Sequence, residues 1–180
     1  MKFNVLGSVG IEVEGHFRSI RGGHQRVLLA VLLVNGGQLV PAEDLYGELW
    51  GEQPPVTVEN ALQAHVSRLR RTLQECGDHA PALITRSTGY SLEFPAQDLD
   101  MNAFRQGVGR ARSLMAKDRD AAAALLTQSL GLWRGAPSRT SPEGCCASRW
   151  PSSWPRSTWP PPRTNSGSTW SGRYPPPWES

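Results

Sequence analysis

The residues Thr57-Val58-Glu59-Asn60-Ala61-Leu62-Gln63-Ala64-His65-Val66-Ser67-Arg68-Leu69-Arg70-Arg71-Thr72-Leu73 set apolar side chains at a helical spacing. At 100° per residue Val58, Leu62, Val66, Leu69 and Leu73 fall on one narrow stripe. The segment therefore predicts an amphipathic helix with Thr57 at its N-cap. Asn60, Ala64, Ser67 and Arg71 fall on the opposite side, flanked by Gln63 and Arg68. Small side chains let a helix enter a duplex groove, amides and hydroxyls reach base edges, and guanidinium groups take phosphate or guanine. On that profile Asn60, Gln63, Ala64, Ser67 and Arg68 are candidates for major-groove bases and adjoining phosphates, and Arg71 for a phosphate. An ordinary surface helix with solvated arginines shares the periodicity, so this helix alone does not decide between them. His65 borders the stripe and suits either a phosphate hydrogen bond or a half-buried structural role.

The segment that follows changes the balance. Leu83-Ile84-Thr85-Arg86-Ser87-Thr88-Gly89-Tyr90-Ser91-Leu92-Glu93-Phe94 reads as strand, tight turn and strand. A hairpin after a recognition-type helix is a wing. Arg86 is expected at its tip, entering a minor groove, while Thr88 and the turn amides touch phosphate and Tyr90 anchors the wing on its sheet. From Ala64 to Tyr90 the chain holds Arg68, Arg70, Arg71 and Arg86 against Glu75 and Asp78. The overall charge of +3 hides this local bias: residues 1–137 carry fourteen basic and fourteen acidic side chains, and the whole excess lies in residues 138–180. Global charge is thus no guide to a nucleic-acid partner here.

Upstream, Arg26 to Val34 is almost entirely apolar and stops at Asn35-Gly36-Gly37, which predicts a buried helix with a glycine-assisted end. A second helix is expected from Pro41, near its first position, to Trp50, with Glu43 and Asp44 suiting the macrodipole and Gly51 ending it. Trp50 is expected in the core, and Pro54-Pro55 enforces a break. Before these, residues 2–7, 10–15 and 17–20 give three short strand signals separated by glycine-containing turns, hence a small antiparallel sheet.

Strands first, then Gln25-Arg26-Val27-Leu28-Leu29-Ala30, Leu45-Tyr46-Gly47-Glu48-Leu49-Trp50-Gly51, Val66-Ser67-Arg68-Leu69-Arg70-Arg71 and Arg86-Ser87-Thr88-Gly89-Tyr90 together resemble an OmpR-type winged helix. Their order and wording are most similar to the antibiotic regulatory protein (SARP) family of transcriptional activators, over residues 1–95. No phosphoacceptor receiver domain precedes the winged helix in this sequence, so the resemblance does not imply control by aspartyl phosphorylation. It implies double-stranded DNA as partner, at tandem direct repeats near promoters. It also implies RNA polymerase recruitment, a homodimer on DNA and activation of secondary-metabolite or antibiotic gene clusters.

Asp98-Leu99-Asp100 then leads into a helix over Phe104–Ala116, with Phe104, Val108, Ala111 and Met115 on one face. A second helix is expected from Asp120 to Trp133, where Ala121, Leu125 and Leu132 share a face. Leu132-Trp133-Arg134-Gly135 resembles the end of the first helical pair of the bacterial transcriptional activator domain, a tetratricopeptide-like array. Helical repeats bury their faces on the next repeat, so a lone pair is expected to be marginal. The expected architecture is an α+β winged helix-turn-helix with an N-terminal antiparallel sheet (residues 1–97). A partial all-α, TPR-like segment (98–137) and a disordered tail (138–180) follow.

The tail is a different polymer. It holds nine of the 15 prolines and five of the seven tryptophans but no Leu, Ile, Val, Met, Phe or Lys, so it lacks the side chains of a packed core. A proline-rich ligand, a linker and an out-of-frame translation of GC-rich DNA compete as readings. The mixture of Trp, Arg, Pro, Ser, Gly and Cys favours the last, since reading Trp154 to Pro162 one base earlier turns the run Leu- and Ala-rich.

With 180 residues, no apolar run near the ~20 of a membrane span and no signal peptide, the chain reads as cytoplasmic, associated with the nucleoid. Three cysteines are too few and too clustered for a disulfide scaffold. An enzyme is the rival class, but Cys76-Gly77-Asp78-His79 is only half of a metal-site spacing, and Gly107-Val108-Gly109 lacks a third glycine and a preceding strand. No cofactor, metal or membrane is called for. A second functional class, a protein-interaction module using the helical pair and the Pro/Trp tail, stays open.

Overall fold

Three short strands begin the chain as an antiparallel meander: β1 (Lys2–Asn4), β2 (Gly10–Val13) and β3 (His16–Ser19), in that order across the sheet. The computed structural model describes residues 1–77 and 80–134. Phe3 pairs with Ile11, and Val13 pairs with His16 across a two-residue turn. Glu14 and Gly15 in that turn both carry positive φ, as a tight primed hairpin connection requires. Phe3 and Ile11 are fully buried, whereas β3 is exposed along its length.

Helix α1 (Gly23–Val34) runs through the middle of the core with Leu28, Leu29, Val31, Leu32 and Leu33 buried. It starts three residues earlier than the apolar run indicates, because its first turn, Gly23-His24-Gln25, is built of residues that carry no hydrophobic signal. Helix α2 (Ala42–Trp50) has Glu43 and Asp44 in its first turn and buries Leu45 and Leu49. Gly51, with φ 61°, caps it through a 2.9 Å bond to Gly47 O. Trp50 is half-buried against the core rather than inside it.

The helix expected from Pro41 begins one residue later, at Ala42, with Pro41 at its N-cap. Pro41 itself has an extended backbone, at φ −58° and ψ 146°, and it ends a two-residue strand, β4 (Val40–Pro41). That strand pairs with the second wing strand, Val40 opposite Tyr90 and Pro41 opposite Gly89. The wing is therefore a three-stranded sheet in the order β4-β6-β5, where β5 is Ala82–Arg86 and β6 is Gly89–Glu93. Two residues are too short a run to show strand periodicity. Gly89 is obligatory at this junction, since a Cβ there would collide with Val40 O.

Helix α3 (Val58–Gln74) buries Leu62, Val66, Leu69 and Leu73, the stripe expected from the spacing, with Val58 half-buried at its end. Thr57 holds the N-cap position, but its side chain makes no capping bond. The core gathers α1, α2, α3 and both sheets around Leu29, Leu32, Leu45 and Leu69. Tyr90 is buried in that core, which fixes the wing to the body.

After a single 3-10 turn (Ala96–Asp98) the chain forms α4 (Asp100–Leu114) and α5 (Arg119–Leu130), a helical hairpin. Leu99, Met101 and Phe104 join the same core as Phe3 and Leu6, and Phe3 bridges Leu99 in parallel. The pair is thus not left to bury its faces alone. Asp100 and Arg134 bond the β1 end of the first sheet, and Trp133 meets Phe104 edge-on at 5.9 Å. Helix α5 ends at Leu130, before Leu132 and Trp133, which pack on the core from the following turn. Met115 follows the last residue of α4 and is 53% exposed, so it does not share the buried face of Phe104 and Ala111. A Cβ on Gly107 would collide with Ser129 Oγ, so that glycine serves close helix packing. The expected tail, residues 138–180, and Cys145-Cys146 lie outside the described residues.

Candidate nucleic-acid interface

The apolar stripe of α3 is seated in the core, so its other side faces outward. Asn60, Gln63, Ala64, Ser67, Arg68 and Arg71 are all exposed. Among the described residues the guanidinium groups of Arg68 and Arg71 enter no hydrogen bond or ion pair, which leaves their donors available. Helical rise spreads Asn60 to Arg71 over about 16 Å, three turns of a rod whose small residues, Ala64 and Ser67, lie midway. A width of about 12 Å in the B-DNA major groove admits such a rod.

His65 has a different setting. Its ring lies 4.9 Å from that of His24 and 5.9 Å from that of Trp50, and His24 lies 5.6 Å from Trp50. Three elements meet in this trio: the start of α1, the end of α2 and the middle of α3. His65 Nδ1 is buried without a hydrogen-bond partner. Burial lowers the imidazole pKa below its ordinary value, and the charges of His24 and Arg68 push the same way. His65 is therefore neutral at pH 7, a packing group between helices and not a cation offered to phosphate.

The wing stands beside α3. Ser87 and Thr88 form its exposed turn, and Thr88 O accepts from Ala42 N at 3.0 Å, tying the turn to the start of α2. The guanidinium of Arg86 folds back along the hairpin to Glu93, at 3.4 Å, with both side chains more than half exposed. Arg86 is thus exposed next to the turn but not free at the tip. An exposed pair of this kind is worth ~0–1 kcal/mol, so a phosphate competes for it readily.

Arg70 is the residue that sequence reasoning left without a role. Its Nε donates to Leu83 O at 2.9 Å and its Nη2 to Thr85 Oγ1 at 2.7 Å, joining α3 to the first wing strand. The available signal was angular: Arg70 lies roughly 70° from the centre of the apolar stripe, far closer than Arg68 or Arg71. His24 was missed because its contacts are to distant elements.

No group of three or more metal-ligating side chains exists among the described residues. Cys76 is half-buried, donates to Thr72 O at 3.3 Å, and has its thiol pKa raised by burial; His79 of the Cys-x-x-His spacing lies outside the described residues. No helix among the described residues is long and apolar enough to cross a membrane.

Comparison with known proteins matches this geometry. Residues 22–92, from the start of α1 to the wing, match the family described as "Transcriptional regulatory protein, C terminal". The chain is 40% identical over 139 residues to the transcriptional regulator RedD of Streptomyces coelicolor, covering 75% of this chain and 39% of RedD. It is 33% identical over 137 residues to the regulatory protein AfsR of the same organism, covering 75% of this chain and 13% of AfsR. The solved structure of Mycobacterium tuberculosis EmbR, in complex with a low-affinity phosphopeptide, superposes with a TM-score of 0.69 at 28% identity, over 74% of this chain and 36% of that one. The chain spans about two fifths of RedD's length. Residues 22–92 thus carry an OmpR-type winged helix, and the chain resembles SARP-type regulators such as RedD and AfsR.

Proposed function

We propose that this chain is a sequence-specific DNA-binding regulator of transcription, acting by binding and without chemistry. One observation carries the reading: the whole outward side of α3, from Asn60 to Arg71, is exposed beside an exposed wing turn, while its apolar side is locked in the core. Asn60, Gln63, Ala64, Ser67 and Arg68 meet major-groove bases and adjoining phosphates. Arg71 and the Thr88 hydroxyl take phosphates, and Arg86 leaves Glu93 for the minor groove. His65 contributes by holding α3 against Trp50.

The names of the relatives support a transcriptional role. Within that role the chain activates a biosynthetic gene cluster for a secondary metabolite or antibiotic, binding promoter direct repeats as a homodimer and recruiting RNA polymerase, in the cytoplasm at the nucleoid. Residues 1–97 form the DNA-binding unit. Helices α4 and α5 begin a TPR-like activator domain that runs to residue 137.

The test is selection of duplexes by the intact chain from a randomised library, followed by binding at graded salt. Enrichment of one motif, bound with an affinity that falls steeply with salt, supports the reading. Retention of all sequences alike, or of none, contradicts it. A protein-interaction role for the helical pair is favoured by Met115 and Leu130, which are about half exposed on it. Truncation after Pro137 separates the two, since the regulator retains the selected duplex and the interaction module loses its main activity with the tail.

A further inference from the structure

We propose that Arg70 is the positioning residue that sets the wing relative to the recognition helix, so that the major-groove and minor-groove contacts engage one site together. The inference rests on the DNA-binding reading and assigns the second arginine of the Arg68-Leu69-Arg70-Arg71 run to the protein instead of to DNA.

Two neighbours of Arg70 project outward and a third goes into the core. Arg68 and Arg71 are exposed without side-chain partners among the described residues, and Leu69 is fully buried. Arg70 sits on the border between these faces and is half-buried. It spends its guanidinium on two acceptors of one strand, Leu83 O and Thr85 Oγ1.

That strand needs an outside partner. β5 is an edge of the sheet, with β6 as its one strand neighbour, and Arg70 reaches it from α3. A backbone carbonyl on a sheet edge has no strand to bond it, and here the Nε of Arg70 supplies the donor. The second bond goes two residues further along, to the side chain directly before Arg86. An arginine fork is planar and holds its donors in fixed relative directions, so two acceptors on one strand define both an offset and an angle. A lysine in its place has one ammonium and cannot reproduce that geometry.

The opposite end of the wing is tied down independently. Val40 pairs with Tyr90, and Ala42 N bonds Thr88 O, so β6 and the turn are referenced to α2. Only Arg70 references β5 to α3 by side-chain hydrogen bonds among the described residues. Losing it leaves β5 paired with β6 and β6 with β4, while removing the side-chain tie that fixes the Arg86-bearing strand against α3.

The experiment is a double-mutant cycle on affinity for a duplex selected by the intact chain, with Arg70→Ala, Arg86→Ala, Arg71→Ala and the pairs Arg70→Ala/Arg86→Ala and Arg70→Ala/Arg71→Ala. Arg86→Ala is expected to weaken binding about tenfold in the parent and less than about twofold in the Arg70→Ala background, because the wing contact is already lost. Arg71→Ala is expected to cost the same in both backgrounds. Thr85→Val, which removes one acceptor and keeps the strand's shape, should reproduce part of the effect. Arg70→Lys should restore less than half of it. A merely stabilising role for Arg70 would lower the melting temperature and leave Arg86→Ala as costly as before, which overturns the inference while the DNA-binding reading stands. Arg86→Ala without effect in the parent overturns it as well, since the wing then has no contact to position. Failure of the intact chain to select any duplex overturns both readings.

Discussion

Asp100 and Val5 stand 95 residues apart in the chain, and the Val5 N–H donates to Asp100 Oδ1 at 2.9 Å. The same carboxylate accepts from Leu6 N at 3.2 Å and from Arg134 Nη2 at 3.1 Å, with its side chain only 7% exposed. Arg134 also donates to Asn4 Oδ1 at 2.7 Å, and its backbone N–H to Leu6 O at 2.9 Å. One acidic side chain at the start of α4 thereby satisfies two backbone donors at the end of β1, and joins the helical hairpin to the winged helix.

Asp100→Ala leaves the Val5 and Leu6 donors without this acceptor, at a cost of ~1–3 kcal/mol for each buried donor left unpaired. Urea denaturation should show a single, earlier transition, since Leu99, Met101 and Phe104 belong to the same core as Phe3. Two separated transitions would mean that the hairpin unfolds on its own.

Burial raises the Asp100 pKa above the ordinary 3.8, and this outweighs the Val5 and Leu6 hydrogen bonds and the Arg134 charge, which lower it. The native state therefore binds a proton more tightly than the unfolded chain. Its contribution to stability is fully present below about pH 3.8 and is lost as pH rises through the folded value. The stability of the parent measured relative to Asp100→Asn should fall across that window and then level off; a parent that gains stability relative to Asp100→Asn as pH rises would contradict the assignment.

His65 behaves oppositely. Its lowered pKa means that the unfolded chain takes a proton first, so its contribution is present above pH 6.5 and is lost as pH falls through the folded value. His65→Phe should flatten the acid limb of the stability profile below pH 6.5. An imidazole titration by NMR should report His65 below 6.5. A midpoint above 6.5 would place the ring against a negative charge, whereas the charges acting on it among the described residues are those of His24 and Arg68.

Gly89→Ala tests the junction of β4 with the wing. The added Cβ meets Val40 O, and the backbone must shift to admit it. The substitution should destabilise the protein by about 1–3 kcal/mol and weaken protection of the Tyr90 amide from hydrogen exchange. Unchanged exchange would mean that β4 does not hold the wing.

Most of this fold is legible in the sequence because the deciding signals are local. The stripe Leu62, Val66, Leu69, Leu73 recurs at one helical period and is the buried face of α3, and the residues opposite it are exposed. The hairpin of β5 and β6 is announced by alternation around Ser87-Thr88. What escaped depends on partners far away in the chain. β4 exists through its pairing with Tyr90, and the polar start of α1 is helical without a periodic signal. At the site, Arg86 is folded back by Glu93, His65 is drawn inward by His24 and Trp50, and Arg70 is committed to Leu83 and Thr85. No spacing rule distinguishes an arginine that reaches across to another strand from one that projects into solvent.

The central claim is that the outward side of α3 holds a duplex, and the salt dependence of binding tests it most directly. Arg68 and Arg71 are exposed and unpaired among the described residues, so Arg68→Ala/Arg71→Ala should fold as the parent does. Affinity of both proteins for the selected duplex is measured from low to high salt. Each phosphate contact removed lowers the slope of log K against log salt by about one, so the double variant should lose between about one and two from the parent's slope, and bind more weakly at every salt concentration. An identical slope and affinity in the folded double variant would show that DNA is held by some other surface.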